Sequence, residues 1–204
     1  EMCAVRRREQ KKAAIVGEYA ALGLLDYSSS AVKDPTCPGP IADIKALLLA
    51  TRPDVVYTHN LADKHDTHVA VALRLIQAAR EMPVKQRPKR LYGCEVWRDL
   101  DWLCDDDKTV LRSDQHENLA AALLGVYDSQ IAGGKRYDLA TMGRRRANAT
   151  FFASHGVDDS QGLTFAVDLT PLLQDETIDP GAFISGFIAR FADEVSRRIA
   201  TFSA

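Results

Sequence analysis

Apolar residues recur along this chain at helical spacing in some stretches and at strand spacing in others. Ile15, Val16, Tyr19, Ala20 and Leu22 follow a polar first half, Arg6 to Lys12, and predict a helix of about four turns that Gly23 would stop. LLDYSSS (24–30) reads as a short strand running into a polar loop, and KDPTCPGP (33–40) holds three prolines, which exclude regular structure. IADIKALLLATRP then places Ile41, Ile44, Leu47 and Leu48 on one helical face, and DVVYTH (54–59) is a β-branched strand. In HVAVALRLIQAAR, Val69, Ala72, Leu73 and Ile76 predict a helix from about Thr67 to Arg80, with Asp66 or Thr67 able to cap it. RLYGCEVW (90–97) is the next strand. Further helices are expected around DQHENLAAALLGVY (114–127), around KRYDLATMGRRRANATFFAS (135–154), and from about Pro180 to Ala200.

Helices alternating with strands imply parallel strands joined by right-handed crossovers. The expected fold is therefore α/β, a three-layer Rossmann-like arrangement around a mostly parallel sheet. At 204 residues and 46% hydrophobic, the chain has enough core for one domain and needs no second. Ligands in such folds bind beyond the carboxyl ends of the strands. The stretch THNLADKHDTH (58–68) lies at that place, between a strand and a helix, and concentrates three of the five histidines.

Charge narrows the function classes. A net charge of -2, with 26 basic residues dispersed among 28 acidic ones, leaves no footprint for nucleic acid; Arg6-Arg7-Arg8 is the one local basic run. No stretch is long and apolar enough to span a bilayer or to act as a signal peptide, so a cytoplasmic protein without an integral membrane segment is expected. Cys3, Cys37, Cys94 and Cys104 form no C-x-x-C pair and are read as free thiols.

Neutral imidazole is the commonest protein metal ligand, and a catalytic zinc takes three protein ligands with a fourth position for water. His65 and His68, three apart at the mouth of a helix, suit two ligands, or one ligand and one group facing substrate. Asp63 and Asp66 are placed to accept the second ring N–H of an imidazole. The competing reading is a polar strand-to-helix loop in which aspartate and threonine cap the helix. Both readings stand at this level, because His116 and His155 lie in no obvious ligand motif. SHGVDDS (154–160) gives His155 and Asp158 a ligand-like spacing but follows a helix rather than a strand, which favours a substrate-contacting or capping loop.

Several segments, in order, resemble the LmbE-like (PIG-L) deacetylase family, zinc-dependent enzymes that remove N-acetyl groups from sugar-containing substrates. VRRREQKKAAIVGEYAALGLLDY resembles the family's R-x-x-E helix, and IKALLLATRPDVVYTHN its following helix and strand. KHDTHVAVALRLIQAA resembles the H-x-D-H segment, and DQHENLAAALLGVYDSQI a later segment ending in a serine-glutamine pair. The family's P-H-P-D-D-E motif is absent, so a single domain over residues 1–204 lacking its N-terminal strand and helix is expected.

The resemblance implies that His68 is a zinc ligand, that His65 stabilises the oxyanion or protonates the leaving group, and that Arg6 contacts substrate, with Arg7 as the neighbouring register. The remaining zinc ligands and the general-base aspartate are expected upstream of residue 1. Asp66 is the outer carboxylate by this likeness, although the family places aspartate directly before the second histidine, where this chain has Thr67. The implied activity is metal-assisted hydrolysis of an N-acetylglucosamine-type or related small sugar conjugate, in a protein that can form a homo-oligomer. The alternative is a catalytically inactive α/β protein that binds a carbohydrate or nucleotide. Tyr92, Trp97 and Trp102 are candidates for an aromatic wall against a sugar ring, or for core; the five aspartates between Asp99 and Asp107 read as a solvated loop.

Overall fold

A computed structural model describes residues 1–203. In chain order the elements are α1 (Met2–Val16), α2 (Ser29–Lys33), α3 (Gly39–Thr51), β1 (Val55–His59), α4 (Asp66–Arg80) and β2 (Arg90–Cys94). They continue with β3 (Lys108–Arg112), α5 (Glu117–Gly125), α6 (Asp128–Ile131), α7 (Tyr137–Phe151), β4 (Leu163–Asp168), α8 (Pro171–Gln174) and α9 (Pro180–Phe202). The strands form one sheet in the order β1-β2-β4-β3, within a mixed, Rossmann-like α/β fold.

β1 and β2 pair in parallel from Val55 opposite Arg90 to His59 opposite Cys94, which is the geometry that an intervening helix, α4, demands. β4 joins β2 antiparallel, with Gly93 opposite Val167. Its run LTFAVD buries Leu163, Phe165, Ala166 and Val167, a continuous apolar segment rather than an alternating one.

The chain gathers into two compact units, one of Glu1–Leu24 with Leu111–Thr164, the other of Leu25–Val110 with the residues from Phe165 onward. In the second unit, α4 supplies the central buried surface through Ala72, Leu75, Ile76, Ala78 and Ala79, and it packs on α2, α3, β1 and α8. Arg80 fastens α8 and the chain that follows it by donating to the carbonyls of Leu172 (2.7 Å) and Ile178 (2.8 Å). α9 opens on Asp179, whose side chain accepts from the Ala182 N–H at 2.8 Å, and Pro180 takes the first helical position, where its missing donor costs nothing.

In the first unit, α1 ends at Val16 rather than near Gly23. Gly17 closes the last turn by donating to the Ala13 carbonyl, and Glu18 takes φ +52°, a left-handed conformation that stops propagation. Glu9, buried on α1, accepts from both the backbone N–H and the hydroxyl of Ser129, each at 2.7 Å.

Two other local expectations are corrected. Residues 24–30 hold no strand; in the second unit Asp26 turns the backbone at φ +59° and Ser28 caps α2 by accepting from the Ala31 N–H. The proline-rich connector is irregular only in part, because α3 begins at Gly39 and uses Pro40 in its first turn. Among the described residues, no helix is long and apolar enough to cross a membrane.

Candidate active site

The site begins where β1 stops. Asn60, fully buried, donates from its backbone N–H and its side-chain Nδ2 to the Cys94 carbonyl, at 3.0 and 3.2 Å, and its Oδ1 accepts from the Ala62 N–H. This side chain turns the chain out of the sheet while continuing the β1–β2 ladder by one residue. Gly93 makes the turn possible: a Cβ there would lie 3.0 Å from the Asn60 Cα and 3.2 Å from the His59 carbonyl oxygen.

Three residues on, Asp63 folds back beneath the loop. Its Oδ1 accepts from the His65 N–H at 2.9 Å, and its Oδ2 accepts from the Trp97 N–H at 3.1 Å. The same Oδ2 lies 3.6 Å from His68 Nδ1, an ion-pair distance slightly beyond a hydrogen bond. Burial pushes the Asp63 carboxyl up, but the two backbone donors and the His68 ring outweigh it and hold the group below the usual aspartate range.

α4 then carries the histidines. His65 occupies its N-cap position and is exposed, and His68, one turn in, is partly buried. The rings of His59 and His68 stack with centroids 3.9 Å apart and planes 8° from parallel; His65 also stacks on His68, at 4.6 Å, and Trp97 follows at 6.1 Å from His65. Burial, and then the neighbouring His68, push the His59 imidazole down to about 4, so it is neutral at physiological pH. Its Nδ1 and that of His68 are both buried without a hydrogen-bond partner among the described residues. Cys94, opposite His59 in the ladder, is a free thiol pushed up to about 11 by burial and by the adjacent Glu95.

These positions sort the expected residues. His65 and His68 come together, and Trp97 joins them at the rim. Asp66 is exposed in the first turn of α4, and the carboxylate beside the His68 ring is that of Asp63. Neither Asp66 nor Thr67 caps α4; Thr67 Oγ1 instead meets Ser29 Oγ at 2.5 Å. Tyr92 tilts against Tyr57 at 5.7 Å on the paired strands, and Trp102 Nε1 donates to the Asp99 carbonyl, so of the three aromatic candidates only Trp97 lies among the histidines. The acidic stretch is engaged by cations, Asp105 with Lys108 and Asp107 with Arg190. Arg6 stands exposed on α1 in the first unit, whereas His59, His65 and His68 belong to the second.

His68 suits a zinc ligand by donor type, as a partly buried imidazole with an ion-pairing carboxylate at one nitrogen. His59 does not join it: imidazole lone pairs lie in the ring plane, and two nearly parallel planes 3.9 Å apart do not converge on one ion. Among the described residues, no three His, Cys, Asp or Glu side chains gather as a metal-binding group. The residues present therefore fit one ligand of a metal centre and not a complete one.

The architecture has a counterpart among solved structures. The chain is similar to GalB, the 4-carboxy-2-hydroxymuconate hydratase of Pseudomonas putida KT2440, with a TM-score of 0.52 and 14% identity over 81% of this chain and 71% of that one. What the two share is the α/β fold. No protein-family model matches the chain, and no curated protein matches it.

Sequence reasoning passed over Asn60 and Gly93. A glycine inside a strand pattern, as in RLYGCEVW, signals close approach of another backbone, and here that backbone carries the site loop.

Proposed function

We propose that the chain is a metal-dependent hydrolase that removes an N-acetyl group from an N-acetylglucosamine-type or related sugar conjugate. The observation that carries this reading is the pairing of His68 with the buried Asp63 at the carboxyl end of β1, beside the exposed His65. A second feature agrees with the resemblance behind it: Glu9 of the R-x-x-E helix binds Ser129 of the serine-glutamine segment, so two stretches read separately from the sequence meet in the first unit.

His68 would be one ligand of a zinc ion, whose chemistry when bound would be to polarise the acetyl carbonyl and acidify a water. His65, exposed and lying between His68 and Trp97 in the row of rings, would hydrogen-bond the developing oxyanion or pass a proton to the leaving amine. Trp97 would offer its face to the sugar. Cytoplasmic placement and assembly into a homo-oligomer belong to the same proposal.

The parallel stacking of His59 and His68 favours one other reading, an inactive carbohydrate- or nucleotide-binding protein in which flat rings serve as a platform. Zinc loading followed by assay of acetate released from N-acetylglucosamine conjugates separates the two. Acetate release that zinc chelation abolishes supports the hydrolase; sugar binding without release, in a chain that holds zinc stoichiometrically, rules it out.

A further inference from the structure

Asp63 makes contacts in two directions that no other residue of the site combines. Its two carboxylate oxygens accept from the His65 N–H at the start of α4 and from the Trp97 N–H after β2, and the second oxygen also faces the His68 ring. The side chain is fully shielded from solvent, while that of His68 is 21% exposed. His68 Nδ1 is buried and has no hydrogen-bond partner among the described residues, and the Asp63 Oδ2 lies 3.6 Å from it. A buried ring N–H costs free energy unless it meets an acceptor, whereas a carboxylate facing a bare lone pair is repelled. The neutral imidazole therefore gains by carrying its proton on Nδ1.

We propose that Asp63 is a positioning residue that fixes the His68 tautomer, with the proton on Nδ1 and the free lone pair on Nε2, and that through the Trp97 N–H it sets the aromatic rim by the same carboxylate. The role rests on the reading of His68 as a metal ligand for its consequence, but the tautomer itself exists without metal or substrate. At 3.6 Å the contact is longer than a hydrogen bond, and catalytic hydrogen bonds of this kind commonly tighten when substrate binds. Asp63 thus links the imidazole that would hold the metal to the ring that would lie against the sugar.

The test uses the full chain without metal, at mildly alkaline pH. Nitrogen-15 NMR of the His68 ring is expected to show protonation at Nδ1, with an exchange-protected Nδ1–H. In Asp63→Asn, which retains the shape but can turn its amide donor toward the ring, His68 is expected to move to the Nε2–H form. The Trp97 and His65 amides are expected to exchange faster, and zinc affinity to fall about 10- to 100-fold; Asp63→Glu is expected to restore part of the Nδ1–H population. An Nε2–H tautomer in the wild type overturns the proposal, as does a folded Asp63→Asn that keeps Nδ1–H. Should Asp63→Asn fail to fold, the wild-type spectrum decides alone: a protected Nδ1–H supports the assignment and its absence overturns it. Failure of the acetate assay leaves this readout unchanged, so the two proposals fail separately.

Discussion

The imidazoles of His59 and His68 lie face to face, 3.9 Å between centroids and 8° from parallel, with His59 from the end of β1 and His68 from the first turn of α4. The strand residue therefore supports the helix residue through its ring face rather than sharing an ion with it. Replacing His59 by Phe preserves a flat, neutral partner and is expected to leave zinc affinity within a few-fold of wild type. Replacing His68 by Ala removes the ligand and is expected to lower it by more than about 100-fold, beyond the usual effect of losing an outer partner. Competition with a chromophoric chelator measures both, and a greater loss in the His59 variant would reverse the assignment.

His65 stands apart from this pair by exposure. It is solvent-accessible at the N-cap of α4, and its backbone, not its ring, is what Asp63 holds. If it acts on the developing oxyanion or the leaving amine, His65→Ala should lower kcat roughly 10²- to 10⁴-fold while zinc content stays near wild type. Metal analysis and turnover on the same preparation provide the comparison; a fall in both together would place His65 among the ligands instead.

How far these residues could be read beforehand depends on the range of the interaction. α3, α4 and α9 follow from apolar residues repeating at helical spacing, and β1 and β2 from β-branched and aromatic runs, because each is decided by neighbours in sequence. The end of α1 was not legible: apolar Tyr19 and Leu22 continue the helical pattern past Gly17, but the left-handed turn at Glu18 removes them from the helix. β4 was missed because a short continuous apolar run such as LTFAVD suits a buried helix as well as a strand, and only its pairing with β2 resolves it. In the site, the histidines announced themselves by spacing. The choice of Asp63 over Asp66 as the carboxylate beside His68 depended on where the loop turns, and Asn60 and Gly93 set that turn by contacts across 33 or more residues.

Gly93→Ala tests that turn. The new Cβ would sit 2.8 Å from Leu169 Cδ1, which can rotate, and 3.0 Å from the Asn60 Cα, which is backbone and cannot. Overpacking of this kind costs about 1–3 kcal/mol, and the shift would fall on the segment that aims His59 and Asp63. Urea denaturation should show the loss of stability, and the Trp97 environment, read by fluorescence, should change with it. An unchanged midpoint would mean that the backbone yields at no cost.

The first unit carries its own titratable clasp at Asp114. Its carboxylate accepts from the Ser160 hydroxyl at 2.7 Å, from the Gln161 N–H at 3.0 Å and from Arg112 at 3.3 Å, tying the start of the segment after β3 to the loop before β4. The Ser160 hydrogen bond first, then Gln161 and Arg112, hold the carboxyl well below its ordinary value of 3.8. In the unfolded chain the group takes up a proton near that ordinary value, before the folded form does. The clasp thus contributes its full stabilisation above about pH 4, and the contribution is lost as pH falls toward the lowered folded value. Hydrogen exchange at the Gln161 amide should accelerate through that acid window in the wild type. In Asp114→Asn the exchange should be faster at neutral pH and should lose this acid dependence; a variant that keeps the wild-type acid limb would assign the titration to another carboxylate.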